Sequence, residues 1–272
     1  LRMSRGLGDV YKRQGKAPIS GDKEDKSNTA LAEINNKYPY GGNNAADNSG
    51  VMTYVSICYA GARSTQDIEH NGLTLNGVGN GTTIENIYVL ESADDGIEFF
   101  GGTVNVKNLL AVNPDDDMFD FTQGYCGTLS NCYGIWESDY TSTEADPRGI
   151  EADGNFDGLY PNHLRQSDFV VDGMTIVNNA ANTTDNVDRM QDVIKIRRGA
   201  KATIKNALVK GTGGAIDLVD MNDGKGAGNA ASTISITNSL QLTGKKLNGE
   251  AVLNEAGSNT GACLLYTSDA AD

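Results

Sequence analysis

The sequence predicts an all-β fold, a right-handed single-stranded parallel β-helix (solenoid) with an asparagine ladder. The first observation is an Asn that recurs inside one short pattern of an apolar residue, a polar residue, the Asn and an alternating run. The shortest intervals between copies are 22 and 23 residues, and longer intervals hold insertions. Asn and Gly tolerate a left-handed backbone, and stacked amides can form ladders, so this position suits a fixed bend in each coil. The predicted column contains Asn86, Asn108, Asn131, Gly173, Asn206 and Asn238.

A second repeated motif has a charged residue between apolar ones, which is the period-two alternation of a strand with two different faces. Its copies read GIEF, MFDF, GIEA, VIKI and AIDL, at 96–99, 118–121, 149–152, 193–196 and 215–218. Each coil is therefore expected to hold one charged-centre strand, a turn, a second strand, the Asn bend and a third strand. Repeats of 20 to 50 residues built from short strands are typical of solenoids.

Composition agrees with this architecture. The chain has 33 Gly and only 5 Pro in 272 residues, and 38% of its residues are hydrophobic, which suits a narrow apolar column better than a broad core. An ordinary β-sandwich with unrelated Asn turns is the competing interpretation. It does not explain why the Asn positions and the charged strands repeat together.

The repeats also predict the domain boundaries. Residues 50–245 are expected to form the β-helix, with a leading segment at 15–49 and a truncated continuation at 246–262. Residues 1–14 and 263–272 resemble translated sequencing-adapter sequence, so both are expected to be non-native tails without packed structure. The natural segment is then expected to continue beyond both ends, where a signal peptide or an anchor would lie.

The net charge of the chain limits the kinds of molecule that it is expected to bind. The formal net charge is −14, which argues against nucleic acid and anionic lipid and suits an extracellular protein or a cation binder. No apolar stretch approaches the roughly 20 residues of a membrane-spanning helix. A disulfide between Cys126 and Cys132 is disfavoured, because the ladder register places the two Cα atoms too far apart. His70 and His163 lack metal-ligand spacing, so a zinc site is not expected.

The chemistry is expected on the outward face of the charged strands, where neighbouring coils lie about 4.8 Å apart. Stacked carboxylates there would repel each other unless a cation or a basic group intervened. The central column is predicted to contain Thr74, Glu98, Asp120, Glu151, Lys195 and Asp217. The flanking columns are predicted to contain Asp95, Asp117, Arg148 and Asp192 on one side, and Phe100, Thr122, Asp153 and Arg197 on the other.

Insertions before and after these strands would frame the face as a groove, and solenoid insertions usually border a binding face. Acids, Arg and aromatic residues along a groove suit a polysaccharide. The candidate ligand-binding residues are Asp153, Lys195, Arg197, Trp136 and Tyr160. Asp95, Asp117 and Asp120 are the candidate ligands of Ca²⁺, which prefers oxygen donors. The alternative is a solvated ladder of salt bridges with little energetic value.

The chain also resembles a known family. The stretches NGLTLNGVGNGTTIENIYVLESADDGIEFFGGTVNVKNLLAV, DDDMFDFTQGY and RGIEADG are similar to bacterial surface proteins and lipoproteins with a pectin-lyase-like parallel β-helix. Pectate lyases of this fold use Asp-bound Ca²⁺ and an Arg base. The resemblance implies, for an enzyme, that Arg148, Glu98, Asp120 and Glu151 are catalytic. The linear lyase motifs are not recognisable. The resemblance also implies an extracellular or bacterial cell-surface location.

Three functions stay open at this level. One is a secreted or surface protein that binds glycan or a surface partner through an acidic groove. Another is a Ca²⁺-dependent polysaccharide lyase, or a glycoside hydrolase that uses two carboxyl groups of the central column. The last is a structural spacer of a surface protein.

Overall fold

The structure is a computed structural model. It describes residues 11–23, 27–33, 35–61, 70–156, 158–180, 190–213, 215, 217–221 and 231–241, and four short strands beyond. Two of the insertions expected to frame the groove are residues 178–192, before a charged strand, and 219–231, after one. Most of their residues lie outside the described part of the chain. So do residues 1–10 and 267–272 of the expected tails.

The charged-centre strands stack in parallel into one sheet of eight strands. The neighbours in this first sheet are successive coils of the chain, not successive strands, which is the signature of a parallel solenoid with right-handed crossovers. In order, the strands are β1 (Tyr11–Gln14), β5 (Leu73–Asn76), β7 (Ile97–Phe100), β9 (Phe119–Thr122), β11 (Ile150–Asp153), β13 (Asp192–Arg197), β16 (Asp217–Asp220) and β21 (Glu255–Ala256).

The strands that carry the Asn bend form a second parallel sheet of ten strands. Most of these strands run straight through the bend, so the second and third strands expected in each coil are continuous. They are β4 (Val51–Cys58), β6 (Thr83–Leu90), β8 (Val106–Val112), β10 (Thr128–Trp136), β12 (Asp168–Asn178), β14 (Lys201–Lys205), β15 (Leu208–Lys210), β17 (Thr233–Thr237), β18 (Ser239–Gln241) and β22 (Leu264–Tyr266). The repeats in the sequence thus predict the observed fold.

Four strands form two antiparallel hairpins outside the stack. They are β2 (Thr29–Ala32) with β3 (Asn35–Gly41), and β19 (Lys246–Leu247) with β20 (Glu250–Ala251). Each of the two expected tails, 1–14 and 263–272, holds one short strand. β1 pairs in parallel with β5 and β22 pairs in parallel with β18, so each tail contributes one strand to the solenoid.

The Asn column bends the second sheet. Asn86, Asn108 and Asn131 have φ between 53° and 58°. The Nδ2 of Asn108 donates to Asn86 Oδ1 at 2.8 Å, and the Nδ2 of Asn131 donates to Asn108 Oδ1 at 2.5 Å. Each amide thus links one coil to the next at the place where the backbone adopts its left-handed turn.

The ladder changes at Gly173, which has no side chain to continue it and a φ of 77°. In the next coil, the Nδ2 of Asn206 donates at 2.6 Å to Oδ1 of Asp172, the residue before the glycine. Asn238 then donates to Asn206. The column also begins one coil earlier than predicted, at Tyr54, whose φ of 55° places it in the same left-handed region.

The core is a column of buried side chains between the sheets. Its centre is an aromatic stack in which Phe121 lies between Phe99 and Phe169, with ring centroids 5.1 and 4.2 Å away. Tyr125 packs against Phe99 at 4.4 Å. Stacked aromatic pairs add to the burial term, so these rings help to hold the neighbouring coils together.

A strap at residues 15–21 runs across the coils instead of along them. The main-chain N–H groups of Gly15 and Ser20 donate to carbonyls at the ends of β5 and β9, those of Asn76 and Gln123, at 2.8 and 2.7 Å. Gly101, with a φ of 65°, lies under it, and any Cβ there would approach Ile19 to about 2.5 Å. The strap carries the β2–β3 hairpin over the first sheet.

A small apolar cluster separate from the main core holds this hairpin. Its members are Ile19, Ala30, Ala32, Tyr40 and Phe100. The hydroxyl of Tyr40 also donates to Gln123 Oε1 at 2.5 Å. The hairpin tip, with Glu33, consequently overhangs the outward face of the first sheet.

The register of the last charged strand differs from the prediction. Asp217 pairs with Asp192, and Asp220 pairs with Lys195. LVDM at 218–221 has the same apolar–charged–apolar form as AIDL at 215–218, and in the observed register its acid, Asp220, lies beside Lys195. The Lys195 ammonium forms an ion pair with Asp220.

Two further points concern a disulfide and a membrane-spanning helix, neither of which the sequence led us to expect. Cys126 and Cys132 are free thiols, so they form no disulfide. Within the described part of the chain, no helix has the length and apolar character needed to cross a membrane.

Candidate functional site

The outward face of the first sheet brings most of the predicted site residues together. Glu98 pairs in register with Asp120, Asp120 with Glu151, and Glu151 with Lys195. Strand pairing fixes these side chains on one face, since alternate residues of a strand point to the same side. Four consecutive coils therefore place charged residues side by side, as predicted.

A cleft of about 290 Å³ opens on this face. Seven of its residues come from the strands or the positions just before them, namely Asp95, Glu98, Asp117, Asp120, Arg148, Glu151 and Arg197. Five come from its walls, namely Glu33, Asp94, Asp116, Glu144 and Asp146. The lining thus carries ten carboxylic acids against two guanidinium groups.

Loop 137–147 forms one wall of the cleft, and Asp115 holds this loop in place. The Tyr140 hydroxyl and the Thr143 N–H donate to Asp115 Oδ1 at 3.1 and 2.8 Å. This anchoring brings Glu144 and Asp146 to the rim. The hairpin tip with Glu33 forms another part of the wall.

The acidic end of the cleft is formed by Asp95, Glu98, Asp117 and Asp120. Asp95 Oδ1 accepts the N–H of Asp117 at 3.0 Å, and Glu98 accepts the amide of Asn71. Oδ1 of Asp117 and Oδ1 of Asp120 are buried without a hydrogen-bond partner. Because an unsatisfied buried oxygen carries a desolvation cost, this end of the cleft is chemically incomplete.

Burial controls the protonation of these acids. Burial, followed by the neighbouring carboxylates Asp94 and Asp120, raises the pKa of Asp95 well above its usual range. Burial and then Asp120 do the same to the pKa of Glu98. Burial raises the pKa of Asp120 to about 6, although Arg197 opposes the shift. The cluster therefore favours protons or bound cations over bare carboxylates.

The pKa of Asp117 is shifted in the same direction. Burial and then Asp116 raise its pKa well above its usual range, with Arg148 opposing the shift. Only 3% of Asp117 is exposed, and it lines the cleft.

Arg148 stands at the boundary of the acidic end, and carboxylates surround it. It forms ion pairs with Asp146 at 2.7 Å, with Asp192 at 3.2 Å and with Glu151. Burial lowers its pKa, but Asp117 and Asp146 outweigh burial and the net shift is upward. A guanidinium held in this way does not release its proton easily, which disfavours the base role that the resemblance gave Arg148.

Arg197 differs from Arg148. Its Nε donates to Asp153 Oδ1 at 2.6 Å, and it also forms an ion pair with Glu151. Burial and then Arg198 lower its pKa to about 10. Arg197 also lines the cleft, so it is the guanidinium whose proton is released more readily.

Several predicted ligand-binding residues lie elsewhere. Trp136 is fully buried, and its indole N–H donates to the Pro114 carbonyl at 3.0 Å, so it offers no surface to a ligand. Trp136 is the last residue of β10, and the loop that forms a wall of the cleft begins one residue later. Tyr160 is half-buried in the loop after β11, and it is not among the residues that line the cleft.

Two charged candidates are occupied by ion pairs. Asp153 binds Arg197 and Arg198, and Lys195 binds Asp220. Neither lines the cleft. His163 is buried, and its Nε2 lies 2.8 Å from the Ser27 carbonyl oxygen and 3.2 Å from the Gly21 nitrogen, which ties its loop to the strap and the segment after it.

Some residues of the acidic end were not predicted from the sequence. Asp94 and Asp116 were visible as acidic doublets before two strands, which are also typical of side-chain turns. Asn71 lies before β5 in the column of Asp95, and the Gly72 N–H donates to the Asp95 carbonyl at 2.8 Å. No charge marks Asn71 in the sequence, so only the register identifies it.

Two groups of carboxylates have the spacing of a cation site. Ligand oxygens of Asp94, Asp95 and Asp116 lie within 4.8 Å of one another, and so do those of Asp95, Glu98 and Asp120. Oxygen-only donor sets suit Ca²⁺, Mg²⁺ or Mn²⁺. The buried unpartnered oxygen of Asp120 fits this interpretation. The second set contains two of the predicted ligands, Asp95 and Asp120, with Glu98 in place of Asp117.

Fold and site together define a class of protein, namely a parallel β-helix with an acidic cleft on the outward face of its first sheet. Residues 13–266 match the family described as pectate-lyase-like β-helix domain, and the chain belongs to that family. The match includes residues 13 and 14 of the first expected tail and residues 263–266 of the second. No curated protein and no solved structure matches the chain significantly. The fold is therefore that of a carbohydrate-related family, and the acidic cleft has to be interpreted from its own residues.

Proposed function

We propose that this protein binds an acidic polysaccharide in the acidic cleft through Ca²⁺, and that it does not cleave the chain. The family supports a surface or carbohydrate-related role. Uronate carboxylates would be repelled by the ten acids of the lining, so an anionic glycan needs cations between it and the protein. An extracellular or cell-surface location is part of the proposal.

The observation that carries the proposal is the incomplete acidic end. Asp117 and Asp120 each hold a buried oxygen without a hydrogen-bond partner, beside a set of carboxylate oxygens at cation spacing. A bound Ca²⁺ would supply what these oxygens lack. The absence of cleavage rests on Arg148, which three ion pairs hold protonated.

Binding to polygalacturonate and alginate, measured in Ca²⁺ and again in excess chelator, tests this proposal. We expect binding to both polyanions in Ca²⁺, loss of binding in chelator, and no binding to a neutral glucan. Asp120→Asn should weaken binding at least tenfold. Asp168→Asn is the matched control, because Asp168 is exposed at the start of β12 on the other sheet. Equal binding with and without Ca²⁺ would contradict the proposal.

Lyase activity is the second candidate, and Arg197 favours it. Its pKa is lowered to about 10, and it lines the cleft that holds the acids. In this mechanism a cation neutralises the uronate and Arg197 removes the proton α to its carboxylate. Formation of unsaturated products that stops in Arg197→Lys would support this candidate over simple binding.

A further inference from the structure

We infer that two copies of this chain associate through an apolar stripe on the second sheet. The stripe consists of outward side chains that follow the Asn column in four consecutive coils, and strand pairing aligns them in two rows. The first row contains Ser56, Tyr88, Leu110 and Tyr133, and the second contains Cys58, Leu90, Val112 and Ile135. The acidic cleft lies on the first sheet, so the contact leaves both clefts open.

The stripe is open to solvent although most of its side chains are apolar. Leu110 is 36% exposed, and Tyr88 and Tyr133 are half-buried. A hollow of about 480 Å³ opens beside them, and its lining consists of Asn108, Leu109, Leu110, Asn131 and Tyr133. Contiguous accessible apolar surface of this kind is typical of a contact between proteins.

Net charge decides which surface two copies can share. Each chain carries a formal net charge of −14, so most encounters between copies set acids against acids. The apolar stripe holds no charged residue. Two copies can therefore approach through it without opposing like charges, and burial of its aromatic and aliphatic side chains favours association.

The two rows are self-complementary about a twofold axis. In a symmetric dimer the same patch faces itself, so every contact of one residue with another occurs twice. An axis that runs along the strands between β6 and β8 sets β6 against the partner's β8, and β4 against the partner's β10. Ser56 then faces the partner's Tyr133, and Cys58 faces the partner's Ile135, so that small side chains oppose large ones.

Charges at the rim of the stripe select this axis. Burial is the main cause that raises the pKa of Tyr88, and both Glu137 and Glu91 contribute, so the two acids lie beside the stripe. An axis along β8 itself would set Glu91 against the partner's Glu137, which is unfavourable. The axis between β6 and β8 instead sets Glu91 against the partner's Asn113. It also sets Glu137 against the partner's Tyr59, which is 64% exposed and can donate its hydroxyl proton to a carboxylate.

The size of the stripe predicts a weak dimer. Four coils and about six residues of each strand correspond to roughly 400 Å² of projected surface per copy. Stable interfaces bury about 800 Å² per partner, and weak or transient complexes bury less. The two copies should therefore associate in a concentration-dependent way and separate on dilution.

Sedimentation velocity of the full chain in chelator, from about 1 to about 500 µM, tests the inference, because weak contacts dissociate in the micromolar range. Chelator prevents cations from bridging two chains, so the result is independent of the proposed function. We expect the average mass to rise from one chain toward two. Added NaCl should strengthen this association, because it screens the repulsion between two chains of net charge −14. A monomer at every concentration, or assemblies larger than two chains, would overturn the inference.

Substitution within the stripe locates the contact. Leu110→Glu places a carboxylate in the stripe and should weaken association at least tenfold, and Tyr88→Ser replaces it if circular dichroism shows that Leu110→Glu does not fold. The matched control is Thr203→Glu, because Thr203 is half-buried in β14 before the Asn column and lies outside the stripe. Unchanged association in a folded stripe variant would contradict the inferred contact.

A disulfide tests the orientation of the two copies. Cys58 is a free, half-buried thiol, and the inferred axis places it opposite the partner's Ile135. Within one chain the two positions are three coils apart, about 14 Å, which is beyond the roughly 7 Å that a disulfide can bridge. Ile135→Cys, in a chain that also carries Cys126→Ser and Cys263→Ser, should therefore form a covalent dimer with a mild thiol oxidant. Thr203→Cys in the same background should not. Failure of Ile135→Cys to cross-link, or equal cross-linking of both proteins, would overturn the inferred orientation.

Discussion

Asp95 and Asp117 lie in adjacent coils, and the N–H of Asp117 donates to the Asp95 carboxylate at 3.0 Å. Both residues precede a strand of the first sheet, so the strand stacking places them side by side. The bond orients Asp95 toward two groups of carboxylates while Asp117 keeps one buried oxygen without a hydrogen-bond partner. A backbone contact between coils thus orients the acidic end, where we propose that cations bind.

Removing Arg148 should destabilise the protein strongly. Arg148→Met leaves Glu151 and Asp192 buried without that partner, and breaking a buried pair in this way costs about 3–5 kcal/mol. Urea unfolding measures the loss. The control is Lys205→Met, whose pair with Asp172 is well exposed and should cost under about 1 kcal/mol. Equal effects of the two substitutions would show that the Arg148 pairs are screened by solvent.

Completing the ladder should stabilise the protein. Gly173 has a φ of 77°, and a Cβ there would meet Asn131 at an ordinary 3.6 Å. Gly173→Asn should raise the free energy of unfolding by about 1 kcal/mol, since Asn tolerates this turn and gains an amide bond to Asn131. Gly173→Val, which cannot adopt the turn without strain, should lower it. Thermal unfolding of the three proteins decides the point, and a loss in Gly173→Asn would contradict the ladder's energetic role.

Stability without cations should fall as the pH rises. Burial raises the pKa of Asp120 to about 6, so the folded protein holds a proton that the unfolded chain releases above about pH 4. Its contribution is therefore present below about pH 4 and is lost as the pH rises through about 6. Denaturant unfolding in chelator should show this decline. Asp120→Asn should show a shallower one, and an unchanged slope would contradict the assignment.

Most of the fold, but only part of the site, could be predicted from the sequence. The Asn86 and Asn108 column and the Glu98–Asp120–Glu151 register follow from local repeats, which strand stacking translates directly into neighbours. The strap at 15–21 belongs to no repeat. The repeats therefore could not predict that the hairpin it carries places Glu33 at the cleft.

The partners of the ion pairs were the other part of the site that the sequence could not predict. Arg148 and Arg197 are long side chains that reach acids in several columns, and the residue order does not say which. The burial of Trp136 could not be predicted either, because a shift of one position at a strand end decides whether a side chain points to the core or to solvent. The sequence therefore located the face, and the structure was needed to separate its acidic end from its ion-paired end.

The most direct test of the central claim is thermal unfolding of the wild type and Asp120→Asn, each with excess chelator and with millimolar Ca²⁺. An ion present at about a hundred times its Kd stabilises the folded state by about 2.7 kcal/mol. For a chain of this size, that corresponds to a rise of roughly 5–10 °C. We predict this rise for the wild type and its loss in Asp120→Asn. An unchanged unfolding temperature in the wild type would show that the acidic end is a solvated surface and would contradict the account.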